Sequence, residues 1–242
     1  YVETPANPTM SVVDIARTAE IAHSHGSRVI VDNTFATPVL QRPLSMGADV
    51  VVHSTTKFIN GHGTVIGGAL VSRDPDFIES GGGALVRYMG AVPSAMDCWL
   101  TGIGLKTLPL RMKEHCSNAR ALAEFLESSD KVRRTFWPGL VSHPQHEVAA
   151  RQMEDFGAMI SIDLGDFKSA CRFMDGLSMS ALAVSLGNVD TLVQHPTSMT
   201  HRLMSEEDRQ AVGITDGMIR ISVGIESAED IIADFEGALA CV

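Results

Sequence analysis

Cysteine is scarce in this chain and scattered. Its four cysteines, Cys98, Cys116, Cys171 and Cys241, lie far apart and form no Cys-x-x-Cys pair. A dense disulfide framework of the secreted kind is thereby excluded, and reduced thiols are the expected state. Long hydrophobic runs are missing as well. No apolar stretch reaches the ~20 residues that a membrane helix needs, and no charged-then-apolar opening of the signal type is present. Positive charge is outnumbered, with 19 Lys and Arg against 29 Asp and Glu and a net charge of −10. Neither nucleic acid nor an anionic membrane would supply attraction to such a surface. A small molecule is the better-matched partner, and the cytoplasm is the expected compartment. His53, His62, His143, His146 and His195 offer no helical histidine pair with a carboxylate, so no metal is expected.

What the chain does contain is apolar residue, 45% of 242, enough to bury one large domain or one domain with a smaller companion. From Val12 to His25 apolar residues recur at helical spacing and Gly26 follows, which predicts an amphipathic helix. Arg28 to Thr34 and Asp49 to Ser54 are apolar, largely β-branched runs that read as buried strands, with a short helix from Leu40 to Met46 between them. Helix, strand, helix, strand favours a parallel sheet under helices. Ile66 to Ser72 is a further strand candidate. Met96 to Ser128 carries long helical periodicity, with interruptions expected around Gly102, Gly104 and Pro109, and the composition change at Phe136-Trp137-Pro138-Gly139 marks an expected domain change. Beyond it, strand candidates Ala158 to Leu164 and Met218 to Val223 alternate with helices Lys168 to Leu177 and Ala228 to Leu239, an α+β pattern. The strand-like Tyr1-Val2 leads straight into Glu3-Thr4-Pro5, so the chain reads as part of a longer one.

The most informative stretch is His53-Ser54-Thr55-Thr56-Lys57-Phe58-Ile59-Asn60-Gly61-His62-Gly63, in which an apolar strand ends in hydroxyls, one lysine and glycines. Ser54 and Thr56, two apart, would present hydroxyls on one side of an extended chain and suit a phosphate. A lysine held partly out of water has a lowered pKa and can attack an aldehyde. Taken alone, Lys57 is equally readable as a surface lysine after a strand, and Asp32 as a cap or turn residue. Together they gain weight, because ligand sites in parallel sheets gather at the carboxyl ends of strands. Arg220 lies inside the apolar run Met218 to Val223, where an unpartnered structural cation would be costly and a buried anion ligand is the better reading.

Glu3-Thr4-Pro5-Ala6-Asn7-Pro8, Val31-Asp32-Asn33-Thr34, Ser54-Thr55-Thr56-Lys57, Gly61-His62, Gly104-Leu105-Lys106-Thr107-Leu108, Ser185-Leu186-Gly187 and Ile219-Arg220-Ile221-Ser222-Val223-Gly224 follow one another along nearly the whole chain. In that order they resemble the cysteine and methionine metabolism family of pyridoxal-phosphate (PLP) enzymes. The resemblance implies an α/β, aminotransferase-like (type I) PLP fold: a mainly parallel sheet with flanking helices plus a smaller α+β C-terminal domain. Residues 1–108 would belong to the large PLP-binding domain, and residues 109–242 would form a linking helix and the smaller domain. Lys57 would hold PLP covalently and later move protons, Asp32 would pair with the pyridine nitrogen, and Ser54 and Thr56 would hold the phosphate. Arg220 would clamp the substrate α-carboxylate, helped by Ser185 and Asn7. The implied substrate is a sulfur-containing amino acid, and the implied assembly a homodimer or homotetramer with sites between subunits. The family's amino-terminal part supplies a glycine-containing phosphate loop and a stacking aromatic, and neither stands in these 242 residues.

Within the family, Val184 replaces a glutamate that cystathionine-using members tend to carry, and an apolar side chain there suits a plain tail such as that of methionine. Val184-Ser185-Leu186-Gly187 and Gln194-His195-Pro196 look like the methionine γ-lyase branch. Gly90-Ala91-Val92-Pro93-Ser94 and the stretch from Pro138 to His146 look closer to cystathionine γ-lyases and γ-synthases, and Val86-Arg87 departs from the lysine-aspartate pair of methionine γ-lyases. The expected order is methionine γ-lyase, then the cystathionine enzymes, then O-acylhomoserine sulfhydrylase. An inactive relative serving as a scaffold is the alternative from another class. Ser185 with His195 is set aside as a hydrolase pair, since no Gly-x-Ser-x-Gly elbow surrounds a serine.

Overall fold

The computed structural model describes all residues, Tyr1–Val242. Two sheets organise the chain. The first contains β1 (Val2–Glu3), β2 (Ile30–Asp32), β3 (Val50–Ser54) and β4 (Gly68–Ser72), in that spatial order. β1, β2 and β3 are parallel, with Val31 beside Val51, whereas β4 runs antiparallel to β3, with Ser54 opposite Gly68. The expected parallel sheet is therefore mixed at this edge. Because Ser54 and Gly68 are partners, the connection 55–67 leaves and returns at one end of the sheet. The lysine turn is thus tied to neighbouring strands on both sides.

Helix α1 (Ile15–Ser24) starts three residues later than the periodicity suggests, because Asp14 caps it by accepting the Arg17 N–H at 3.0 Å. It packs Ile15 and Ala19 onto Val29, Val31 and Ala48. In place of one helix from Leu40 to Met46 there are two short turns, α2 (Thr37–Leu40) and a 3-10 turn at Pro43–Met46. Pro43 lacks an N–H and disfavours helical backbone at Arg42, which separates them.

A single turn of wide helix at Phe77–Gly81 leads into α3 (Gly82–Met89), and α4 follows as an unbroken helix, Ala95–Ser128. No interruption occurs at Gly102, Gly104 or Pro109. Ser94 and Asp97 form a reciprocal cap at the start. A stripe at helical spacing, including Leu108, Met112, Ala119, Leu122 and Leu126, is buried along the length. An interior proline costs ~3 kcal/mol, while each large apolar side chain buried returns roughly 1.5–3 kcal/mol, so the stripe outweighs Pro109.

The second sheet has the order β5 (Arg134–Phe136), β6 (Met159–Asp163), β9 (Met218–Ser222), β8 (Leu192–Gln194) and β7 (Ala181–Leu182). β7 pairs in parallel with β8, and the remaining pairs are antiparallel. Short helices α5 (His146–Gln152) and α7 (Glu206–Ala211) lie in its connections, and α6 (Phe167–Gly176) and α8 (Ala228–Leu239) cover it. Its main core joins Phe173 and Phe235 of these helices to Ile160, Ile162, Ile219 and Ile221, and takes in Leu122 and Leu126 of α4. The composition change at Phe136–Gly139 accordingly marks no structural break. Trp137 is inside this core, which begins within α4 because the apolar stripe of that helix runs on into it. A second core, containing Met10, Phe35, Phe58, Leu108, Met112, Met159 and Leu186, joins the lysine turn, α4 and the second sheet.

Two glycines of α4 make opposite predictions. A Cβ on Gly104 would lie 2.2 Å from the Asn60 carbonyl oxygen and 2.8 Å from that of Ile59, whereas one on Gly102 meets nothing within 4 Å. Gly104→Ala should destabilise the protein by about 1–3 kcal/mol, and Gly102→Ala should stabilise it by up to about 1 kcal/mol. Thermal or denaturant unfolding of the two variants checks the pair.

Candidate active site

The site is assembled where the two sheets meet. Asp32 ends β2 and Ser54 ends β3, one strand away. Thr34 ties them: its hydroxyl donates to Asp32 Oδ1 at 2.6 Å and accepts the Ser54 N–H at 2.9 Å, while its own N–H donates to the same Oδ1 at 3.0 Å. Asp32 Oδ2 accepts from the Tyr1 hydroxyl at 2.9 Å. Burial and this bond push the Tyr1 pKa up to about 12, and burial with the nearby Asp32 charge raises that of Glu3.

After Ser54 the chain leaves extended geometry. Thr55–Ile59 forms one turn of wide, π-type helix, with Lys57 at non-helical φ −87°, ψ −135° inside it. Ser54 and Thr56 therefore do not share one side of a strand, as their spacing suggested. The Thr56 hydroxyl is engaged with Gly67, donating to its carbonyl at 3.3 Å and accepting its N–H at 2.9 Å. To donate to a phosphate it must leave the longer of these two bonds.

Lys57 is backed by Gly187. At φ +74° this residue needs glycine, and a Cβ on it would lie 2.7 Å from the Phe58 nitrogen and 3.0 Å from the Lys57 Cβ. The Gly187 N–H donates to Ser222 Oγ on β9 at 2.8 Å, so one glycine spaces the lysine turn from the strand that carries Arg220. On β9 alternate residues take opposite faces. Ile219, Ile221 and Val223 enter the core, which turns Arg220 and Ser222 the other way.

Arg220 is 2% exposed and has no carboxylate partner. Its Nη1 donates to Asn7 Oδ1 at 3.2 Å, and its Nη2 to the carbonyls of Val184 at 3.2 Å and Ser185 at 2.9 Å. Its Nε has no partner. Ser185 thus meets the arginine through its main chain. Asn7 is held nearby because Ser161 Oγ, on the β6 residue paired with Arg220, donates to the Pro8 carbonyl at 2.6 Å. Burial brings the Arg220 pKa down to about 10, so it remains charged at neutral pH. An orphaned buried donor costs ~1–3 kcal/mol, and more when charged, and an incoming carboxylate would recover that cost.

Lys57 is half-buried, and its pKa is lowered first by burial and then by the Arg220 charge. His53, one residue before Ser54, is buried with Nδ1 unpartnered, and burial lowers its pKa against the opposing pull of Asp32. His195 is used elsewhere, between Ser198 Oγ and the Asp216 carbonyl, and is not paired with Ser185. A buried carboxylate-free cation, a desolvated amine and a carboxylate at neighbouring strand ends fit a zwitterionic amino acid and an aldehyde cofactor with a basic ring nitrogen.

The family model for "Cys/Met metabolism PLP-dependent enzyme" matches residues 1–240. This chain belongs to that family. An L-methionine gamma-lyase of Fusobacterium nucleatum subsp. polymorphum is 49% identical over 243 residues, which is 99% of this chain and 61% of the relative. A cystathionine beta-lyase of Lactococcus lactis subsp. cremoris is 47% identical, covering 99% and 63%. The solved structure of a cystathionine gamma synthase from Xanthomonas oryzae pv. oryzae superposes with TM-score 0.96 at 46% identity, covering 99% of this chain and 62% of that one. The fold is that of these family members, and the chain spans about three fifths of their length.

Of the residues read from the sequence, the structure joins Asp32 to Ser54 through Thr34 and gathers Asn7 and the Ser185 carbonyl on Arg220, whose charge reaches Lys57, while Thr56 is engaged with Gly67. Two contributors went unassigned there. Thr34 could have been found as a hydroxyl two residues after a strand-end aspartate, an arrangement that favours local side-chain bonds. Gly187 stood in a quoted motif without a role.

The electrostatics make a direct prediction. Burial and Arg220 both disfavour the Lys57 ammonium, so reductive alkylation of Lys57 should rise with pH around a midpoint below the ordinary lysine value of ~10.4. In Arg220→Leu one of the two causes is gone and the midpoint should move up. Peptide mapping by mass spectrometry reads both, and an unshifted midpoint in the variant would contradict the coupling.

Proposed function

We propose that this chain carries the lysine and carboxylate-clamp portion of a PLP-dependent carbon–sulfur lyase acting on sulfur-containing amino acids, with γ-elimination of methionine as its leading reaction. The observation that carries the reading is Arg220: a buried guanidinium beside Lys57, with no carboxylate of its own and one donor unpartnered. Residues 1–108 are proposed as part of the larger PLP-binding domain, and residues 109–242 as a linking helix and smaller C-terminal domain. PLP, when bound, supplies an aldehyde for amines and a ring that takes up the electron pair released at the substrate Cα.

Lys57 would hold the cofactor through its amine. Its freed and desolvated amine would then remove the Cα proton and carry protons to and from Cβ. Asp32, fixed by Thr34, would keep a proton on the ring nitrogen, and Ser54 and Thr56 would face the phosphate. Arg220 would receive the α-carboxylate, with Asn7 and the carbonyls of Val184 and Ser185 holding the guanidinium in place. The net change consumes one methionine and one water and yields methanethiol, 2-oxobutyrate and ammonia.

Val184 favours methionine. Its side chain is apolar and more than half exposed beside the clamp, and it offers nothing to the distal ammonium of cystathionine. The segments Gly90 to Ser94 and Pro138 to His146 favour cystathionine, and the names of the relatives include both substrate classes. Cystathionine cleavage or synthesis is therefore the second reading, and γ-replacement on an O-acylhomoserine the third. A homodimer or homotetramer in the cytoplasm is proposed. Exposed Met96, Trp99 and Ile103 on one side of α4, continuing from Tyr88 and Met89, support an interface there. No helix of the chain is long and apolar enough to cross a membrane.

Full-length protein supplied with PLP should release methanethiol and 2-oxobutyrate from methionine in preference to cleaving cystathionine or condensing an O-acylhomoserine with sulfide. Preference for cystathionine would promote the second reading. Lys57→Ala should lose the borohydride-reducible link to PLP. Arg220→Ala should raise KM by about one to two orders of magnitude while PLP content stays near wild type, and an equal loss of cofactor would count against the clamp.

A further inference from the structure

Three polar side chains of α4, Arg111, His115 and Asn118, lie on its buried face at i, i+4 and i+7. Each donates to main-chain carbonyls of other elements. Arg111 is 5% exposed and without a carboxylate. Its Nη1 donates to the Phe58 carbonyl at 2.7 Å and its Nη2 to that of Ile59 at 3.2 Å, the two residues directly after Lys57. Its remaining bonds return to its own helix, Nη2 to the Gly104 carbonyl at 2.9 Å and Nε to Thr107 Oγ1 at 3.1 Å. The guanidinium thereby bolts the lysine turn to α4 at the place where Gly104 lets the backbones approach.

The other two side chains hold the far end of the site. The His115 ring is bonded through Nδ1 to the Val223 carbonyl at 2.7 Å. A carbonyl only accepts, so Nδ1 carries the proton. Asn118 Nδ2 donates to the carbonyls of Gly224 at 3.2 Å and Glu226 at 2.7 Å. Val223 and Gly224 follow Arg220 by three and four residues. His115 also meets Phe58 edge to face, with ring centroids 5.2 Å apart, so the stripe is continuous from one end to the other.

We propose that this stripe is a ruler: Arg111 is a positioning residue for Lys57, His115 and Asn118 are positioning residues for Arg220, and the rise of one rigid helix fixes how far the amine stands from the carboxylate clamp. The inference rests on the functional reading above for what Lys57 and Arg220 bind, and adds what sets their separation. A helix suits the task, since about 1.5 Å of rise per residue places Arg111 and Asn118 roughly 10 Å apart along a stiff axis.

The test uses full-length protein with PLP and three variants, Arg111→Met, Arg111→Lys and Asn118→Leu. The lysine end is read by the pH midpoint of Lys57 alkylation without cofactor and by PLP affinity, and the arginine end by KM for the amino-acid substrate. Arg111→Met should move the Lys57 midpoint and weaken PLP binding at least about tenfold while KM changes less than about threefold. Arg111→Lys, whose single ammonium lacks the guanidinium's fork, should fall between wild type and Met, and remains informative if Met fails to fold. Asn118→Leu should raise KM at least about fivefold and leave the Lys57 midpoint where it was. Variants that only melt at lower temperature, with wild-type midpoint and KM, would overturn the proposal, as would both ends moving together in every variant. If wild-type protein itself forms no borohydride-stable adduct at Lys57, the PLP reading fails, and the cofactor-free midpoint in the Arg111 variants still decides whether α4 positions the amine.

Discussion

Two cations held near one another, with no carboxylate between them, set the terms for the rest of this structure. Arg220 stays charged although buried, and desolvation, with the field of Arg220 second, depresses the Lys57 pKa. Left unsupported, such an arrangement would relax by letting the lysine turn swing into water. It is retained because the surrounding main chain is used as a counterweight. Carbonyls of Val184, Ser185, Phe58 and Ile59 face the guanidinium groups of Arg220 and Arg111, giving partial negative charge without a carboxylate that would compete with the proposed substrate.

That choice explains features that otherwise look unrelated. Gly187 and Gly104 are places where backbone must come close to the lysine turn, one from the β9 side and one from α4. Thr34 spends both roles of its hydroxyl on fixing Asp32 against Ser54. The core that includes Phe58, Leu108, Met112 and Leu186 packs the same turn from below. Rigidity around a half-buried amine is the common result, and it suits the proposed reaction, whose outcome depends on which bond at Cα is aligned for cleavage.

Much of this was legible in the sequence because its signals are local. The apolar alternation around Arg220 gave β9 and marked the arginine as buried, and α8 was bounded correctly from Ala228 to Leu239 by its periodicity. Other features depend on partners distant in the chain. The direction of β4 is decided by where the connection 55–67 returns, not by residues 68–72. Ser54 and Thr56 were read as neighbours on an extended chain, yet the strand ends between them because Lys57 sits in a wide turn pinned from outside. Pro109 argued for a break in α4 that tertiary burial overrides. Arg111, His115 and Asn118 carried a signal that passed unused: polar residues on an apolar helical stripe, which must find partners inside the molecule. β7, with only Ala181 and Leu182, is too short to carry any periodicity.

The most direct test of the central claim is a crystal structure of the full-length protein with PLP and an unreactive amino acid. The account predicts substrate carboxylate oxygens within about 3 Å of Arg220, one of them on the otherwise unpartnered Nε, and the Lys57 amine within reach of the substrate Cα. A carboxylate bound elsewhere, with Arg220 Nε still without a partner, would contradict it.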